Sequence, residues 1–289
     1  MQSRSCTVCA SPTEWEYQSS VFSVWLCSHC GHRGAEHSEL PLSSDYYEHT
    51  PTNEKFVASL LKTRKRQARD ILNHLVPLLD EADGWLDFGC GRGPFLEEAR
   101  SHGLKTLGGF ETSALSKKWL TERGFVMAES KKGEKFWPDW ESLPFAPRVV
   151  SLLDVLEHFP AEQALGSIQR IVRDLPDLKW LVIKVPVSDG VLFQIANGVR
   201  GLSPGVYAQL FQAGTFPPHF HYFSRVSLGR FLRNAGLTIE MRWGDSDLDN
   251  LFHRIPSLAF MPGGALAAKA IGAFPGDTEL VCARITRPQ

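Results

Sequence analysis

The chain has 289 residues, of which 43% are hydrophobic and 22% charged, the make-up of a water-soluble globular protein and not of a disordered or fibrous one. Lys and Arg total 31 against 32 Asp and Glu, so no excess of positive charge is available to hold a polyanion, and nucleic acid is not the expected partner. The opening MQSRSCTVC lacks the basic segment and apolar core of a signal peptide, and no run nears the roughly 18 apolar residues of a membrane span, so a cytoplasmic location with reduced cysteines is expected.

The length exceeds what one core requires, which points to one large α/β domain plus a small extra module. Cys6 and Cys9 form one C-x-x-C, Cys27 and Cys30 another, with 17 residues between the pairs. Each tight knuckle can place two thiolates around one ion, so the spacing predicts a structural zinc ribbon over residues 1–40. Gly31, directly after Cys30, supplies the positive φ that such a knuckle commonly needs. His29, His32 and His37 lie close by, but four cysteines saturate the ion, and these histidines are expected in solvent.

Residues 41–80 read as a turn-rich linker, carrying Tyr46 and Tyr47, followed by a helix over 53–79. Apolar residues recur there at three- and four-residue steps. Lys62, Arg64, Lys65, Arg66 and Arg69 in its middle are expected to form a solvated face. The main domain occupies 81–289.

Residues 86–96, LDFGCGRGPFL, read as a buried strand ending on Asp87, a turn with Gly89, Gly91 and Gly93 at alternate positions, and a helix start. Glycines there let the backbone approach a ligand closely, and free helix N–H groups face whatever sits at the turn. A nicotinamide fingerprint would need a glycine at position 94, which is Pro94. Eighteen residues past Gly93, the apolar run 107–110 stops on Glu111, where an acid at a strand tip can grip both ribose hydroxyls.

With D-x-G-x-G-x-G and the paired acid, the sequence resembles the seven-strand, S-adenosylmethionine-dependent methyltransferase family. The resemblance implies an α/β fold, a doubly wound, seven-stranded Rossmann-like sheet. It also implies a cofactor site at Asp87, Gly89, Cys90, Gly91, Gly93, Glu111, Thr112 and Asp154, with the glycine loop passing the methionine moiety and Glu111 binding ribose. Further helices are predicted over 113–123 and 168–175, and strands over 125–128, 148–153 and 180–185. Trp137 and Trp140 are expected to pack at the surface, and Cys90 and Cys282 to be small buried residues.

The fourth strand stops at Asp154 in DVLEHFP. Three readings compete for Asp154, Glu157 and His158, which at a helix start would share one face. Asp154 can be an N-cap with Glu157 as its capping-box partner. His158 can be a general base for a hydroxyl. A resemblance to ubiquinone-type O-methyltransferases implies a third, in which the acid-x-x-Glu-His phrase binds a divalent ion such as Mg2+ and Asp154 is the first ligand.

A long insertion at about 188–218 is apolar enough to close as a lid over the acceptor. The phrase HFHYFS after it resembles the H-x-H-[FY]-F-S segment of bacterial methyltransferases acting on sugars and other small metabolites, some with an N-terminal zinc ribbon. That resemblance implies that His219 or His221 is the base, and a purely structural histidine pair is the other reading. Ser224 should cap a helix over 226–235, and 237–243 and 280–285 should form an antiparallel edge pair. The stretch 251–274 between them can pack as a surface helix or touch a membrane peripherally.

The reading that follows is an S-adenosylmethionine-dependent methyltransferase acting on a hydroxyl of a sugar or similar small metabolite, lipid-linked acceptors included, with His158, His219 and His221 as candidate bases. The alternatives are a sugar C-methyltransferase, a zinc-ribbon ribosomal-RNA methyltransferase and a binding module that kept the cofactor pocket without catalysis.

Overall fold

The computed structural model describes residues 4–38, 54–245 and 276–285, with the side chains of 54–59 excepted. Tyr46, Tyr47 and the 251–274 stretch lie outside the described residues. In chain order the elements begin with three short strands, β1 Glu14–Gln18, β2 Phe22–Leu26 and β3 Arg33–His37, followed by helix α1 Glu54–Leu75. Then come β4 Gly84–Phe88, α2 Pro94–Ser101, β5 Leu107–Phe110, α3 Ala114–Glu122 and β6 Val126–Met127. A small hairpin, β7 Ser130–Lys131 and β8 Glu134–Pro138, precedes β9 Pro147–Leu153, α4 Ala161–Asp174 and β10 Trp180–Pro186. Two short helices, α5 Val191–Gly198 and α6 Pro204–Leu210, fill the insertion. The described chain ends with β11 His221–Tyr222, α7 Arg225–Asn234, β12 Leu237–Asp245 and β13 Thr278–Ile285.

Seven strands form one sheet in the order β12-β13-β10-β9-β4-β5-β6. Strands β6, β5, β4, β9 and β10 are mutually parallel, while β13 runs antiparallel to both β10 and β12. The order reverses at β4, so the carboxyl ends of β4 and β9 open the crevice where a doubly wound sheet takes its ligand. All five residues of β4 are buried, as they must be with helices on both faces. Alternation sorts the core into two layers. Trp85, Val149 and Val182 pack with Ile71, Leu72 and Leu75 of α1 and with Phe95 and Leu96 of α2. Leu86, Val150, Leu181 and Ile183 face the other way, against Ala164, Ile168 and Ile171 of α4 and Leu228 and Phe231 of α7. Ser224 caps α7 through a reciprocal bond with Ser227, which fixes where the chain turns from β11 back onto the sheet.

The cysteine-bearing segment is bound into the main domain. Its sheet has the order β1-β2-β3-β11, with His221 opposite Gly34 and Tyr222 opposite Arg33. On the other side of β3, a Cβ at Gly34 would lie 1.9 Å from the ring of Trp25, its partner on β2, so glycine is needed where those two strands pair. The aromatic residues of the insertion pack on this small sheet. Phe193, Tyr207 and Phe211 are buried against Phe22, Val24 and Ala35 of the small sheet, where the Tyr207 hydroxyl donates to Glu16, itself bound to Arg33. Burying these aromatic faces removes more apolar surface from water than leaving them poised over an open cleft. No helix among the described residues is long and apolar enough to cross a membrane.

Candidate functional site

The turn after β4 has positive φ at Gly89, Gly91 and Gly93. At Gly89 a Cβ would fall 2.6 Å from Val155 Cγ2, so the loop lies directly on the turn that follows β9. Glu111, at the tip of β5, holds this loop open. Its carboxylate accepts from the Gly91 N–H at 2.8 Å and from the Thr112 and Ser113 N–H groups at 2.7 and 3.0 Å. Asp87 is buried and accepts from the Ser151 hydroxyl at 2.6 Å, which in turn accepts from Trp85 Nε1. Burial pushes its carboxyl up to about 7, opposed by the Ser151 bond and helped by the charge of Glu111. The Cys90 thiol is also buried, and burial raises it well above the ordinary range, so it stays neutral.

Asp154 is no helix cap. It has φ +57°, in the left-handed region that aspartate tolerates better than most side chains. Residues Leu156–His158 then make a single 3-10 turn whose cap, Val155, offers no side-chain bond, and α4 starts only at Ala161. Asp154 instead receives Lys184 Nζ at 2.8 Å and pairs with Arg64 from α1. It therefore stands apart from Glu157 and His158, and the acid-x-x-Glu-His set with Asp154 as first metal ligand is not assembled. Glu157 is 1% exposed, its Oε2 has no hydrogen-bond partner among the described residues, and burial raises its carboxyl to about 7.

The three candidate histidines have different surroundings. His158 donates from Nδ1 to the Pro218 carbonyl at 2.8 Å, which leaves Nε2 as the unprotonated nitrogen, and burial lowers the imidazole to about 4. Its ring centroid lies 4.8 Å from that of His219. His219 Nδ1 faces the Tyr222 hydroxyl at 3.3 Å, and that hydroxyl already donates to the Leu210 carbonyl, so the histidine donates from Nδ1. His221 points elsewhere. It donates from Nε2 to the Leu156 carbonyl at 2.9 Å and meets His32 Nε2 through Nδ1 at 3.3 Å. Burial first, then the neighbouring His32, pushes His221 down to about 3.

At the other end of His32, Nδ1 lies 3.8 Å from Cys6 Sγ. His32 is fully buried, which corrects the expectation that it is solvated. His37 is half-buried and bonds the His219 carbonyl, while His29 is exposed as expected. The four cysteines come together without disulfides, Cys6 and Cys30 with sulfurs 3.7 Å apart and Cys9 and Cys27 3.5 Å apart. Tetrahedral zinc with bonds of about 2.3 Å places its sulfurs about 3.8 Å apart, so the donor set fits that ion.

A family model described as a methyltransferase domain matches residues 60–241, more than half of the chain. The chain belongs to this methyltransferase family. It is an S-adenosylmethionine-dependent methyltransferase, and its sheet has the mixed, reversing order such a fold requires. Solved structures with the same fold include the magnesium protoporphyrin IX methyltransferase of Synechocystis PCC 6803 with bound SAH. That match has 16% identity and a TM-score of 0.51, covering 83% of this chain and 91% of the other. A geranyl diphosphate methyltransferase in complex with SAM matches at 14% identity and a TM-score of 0.50, covering 85% of this chain and 92% of the other. No curated protein matches the chain.

Three residues that shape the methyltransferase's crevice escape the sequence reading. Lys184 had a signal: it is the lone charge in the otherwise apolar WLVIKVP strand, and a buried ammonium demands a partner. Arg64 had none, being one cation among six on α1. Its neighbours keep the solvated face expected of the run, with Lys65 and Arg69 half exposed while they pair with Glu97 and Glu98 on α2. His32 had none either, because its partner is fixed only when β3 pairs with β11.

Proposed function

We propose that this methyltransferase transfers the methyl group to a hydroxyl of a sugar or similar small metabolite, and that the acceptor oxygen loses its proton at the His158–His219 pair. The observation that carries this reading is the convergence of those two rings, 4.8 Å apart, beside the turn that packs on the glycine loop. Transfer from a sulfonium requires in-line attack, so the protein's work is to align donor and acceptor and to let the oxygen become nucleophilic. The two imidazoles have Nδ1 occupied as donor, which presents a lone pair at Nε2. In this reading Gly89, Cys90, Gly91 and Gly93 line the methionine moiety, Glu111 takes the ribose, Thr112 flanks it, and Asp87 and Asp154 shape the loop and the crevice floor. The Cys6, Cys9, Cys27 and Cys30 set holds structural zinc. The solved relatives are named for small-molecule acceptors, the class proposed here, and near-equal charge totals give no polyanion-binding surplus.

Incubation with methyl-labelled S-adenosylmethionine and a fractionated cell extract tests the reading. Label in the small-molecule or lipid fraction is the expected result. Label confined to RNA or protein would overturn it.

A further inference from the structure

Arg64 is a cation of the crevice that the transfer chemistry above does not use. Helix α1 packs on the sheet through Ile71, Leu72 and Leu75, and Arg64, two turns before Ile71 on the same side of the helix, reaches the carboxyl ends of β9 and β10. There it pairs with Asp154, directly after β9, and with no other carboxylate among the described residues. Asp154 is already engaged. Both of its oxygens accept from Lys184 Nζ, at 3.0 and 2.8 Å, and Lys184 is 1% exposed. An ammonium buried that deeply requires its counter-charge, so two cations share one anion. The charge of Arg64 also bears on Glu157, His158 and Asp87, which sets the guanidinium between the turn after β9 and the end of β4. The carboxyls there do not make up the difference, since burial raises Asp87 and Glu157 to about 7 and Glu111 is held by the amides of its own loop. The Arg64 side chain is 24% exposed, within reach of a ligand in the crevice.

We propose that Arg64 binds an anionic group of the acceptor, a carboxylate or a phosphate, and so selects an acidic small metabolite as the molecule whose hydroxyl is methylated. A guanidinium offers a planar fork of donors that meets either group with two parallel bonds, and it stays charged at any physiological pH. When such a ligand enters, Asp154 remains with Lys184 and the ligand takes Arg64, so two cations face two anions and no buried charge stands alone. A neutral molecule of the same shape leaves Arg64 on Asp154 and forgoes those bonds. Of the four ionisable groups around Arg64, three (Asp154, Glu157 and His158) belong to the turn after β9, on the acceptor's side, and one, Asp87, to the cofactor strand. That placement assigns the guanidinium to the acceptor and not to the methionine carboxylate of the cofactor. Methyl transfer leaves the anionic group untouched. The hydroxyl oxygen gains the methyl carbon and gives up its proton, and the product keeps the acidic group of its acceptor.

This inference deepens the proposed function and rests on its placement of the acceptor beside His158. Its test takes the labelled product formed from methyl-labelled S-adenosylmethionine and fractionated cell extract, freed of unreacted cofactor, and passes the small-molecule and lipid fractions over an anion exchanger at about pH 8, where carboxylates and phosphates are ionised. Retention of the label is expected. Phosphatase treatment then separates the two sources, since release assigns a phosphate monoester and continued retention a carboxylate. A neutral product that flows through would overturn the inference and leave the proposed function standing, whereas label confined to RNA or protein would overturn both. With the retained acceptor pool, Arg64→Gln should raise the apparent KM by about tenfold or more and change kcat by less than about threefold, the mark of lost binding that is equal in ground and transition states. Its S-adenosylmethionine affinity in calorimetry should stay within about threefold of wild type. Arg64→Lys, which keeps the charge without the fork, should give an intermediate KM, and it carries the comparison if the glutamine variant melts early. Unchanged KM in both variants, or loss of S-adenosylmethionine affinity with KM unchanged, would overturn the assignment.

Discussion

Asp87 carries a cost that the loop geometry makes unavoidable. The carboxyl is fully buried and raised to about 7, whereas in the unfolded chain it ionises near its ordinary value of 3.8. Between about pH 4 and 7 the folded state therefore holds a proton that the unfolded state has lost, and stability falls as pH rises through that window, by a few kcal/mol in all. Asp87→Asn should flatten the pH dependence of urea unfolding there and stabilise the protein above pH 7. An unchanged slope would show that Asp87 is solvated in the folded state. Glu111 makes a separate prediction. If its carboxylate exchanges loop amides for ribose hydroxyls, Glu111→Gln removes charged hydrogen bonds of about 1.5–3 kcal/mol each, and S-adenosylmethionine affinity should fall by roughly ten- to a hundredfold in calorimetry. The histidines should separate by readout. His158→Ala should cut kcat by about a hundredfold or more. His221→Ala, which removes a ring engaged at both nitrogens, should act first on the melting temperature. Equal kcat losses without destabilisation at His221 would restore it as the base.

At the scale of elements, the pairing of β3 with β11 explains why a small cysteine module belongs to this enzyme. The small cysteine module supports the 219–224 segment by backbone pairing, by the His37 bond to the His219 carbonyl, by the Ser224 hydroxyl donating to the Cys30 carbonyl, and by the His32–His221 contact. The Cys30 knuckle, proposed to hold zinc, thus touches the start of α7 and, through His32, His221 and the Leu156 carbonyl, the turn that carries Glu157 and His158. Removing the ion with a strong chelator should therefore lower methyl transfer and raise hydrogen exchange in 219–224 together, both recovering on zinc return. Loss of zinc with no change in that segment's exchange would mean that the two elements are uncoupled. The pattern also shows which parts of the site were readable. The glycine turn and the acid at the next strand tip are contiguous phrases and are legible in spacing, whereas the Glu157-His158 phrase leaves three readings open until the turn after β9 is known. The fate of Asp154 was misjudged because one left-handed residue replaced the expected helix start. His32 and His221 lie 189 positions apart, and no local pattern announces a contact decided by strand pairing at that separation.

Across the whole molecule, apolar runs and their alternation mark the individual strands and the two core layers, while the seven-strand order is implied by the resemblance that the glycine loop and Glu111 carry. The insertion's role was not, because aromatic residues that can cover a cleft can equally bury themselves against a small sheet, and only the presence of Phe22, Val24 and Ala35 on the facing strands decides between them. At the β4–β9 crevice the glycine loop lies against the turn that leads into Glu157 and His158, and the cysteine module pairs with the segment that carries His219. In the proposed function a methyl group crosses this crevice to oxygen. The most direct measurement is product analysis by NMR after turnover with 13C-methyl S-adenosylmethionine and the acceptor fraction that takes up label. A new carbon resonance in the methoxy range, lost with His158→Ala, is the result predicted. A methyl resonance bonded to carbon or nitrogen would contradict it.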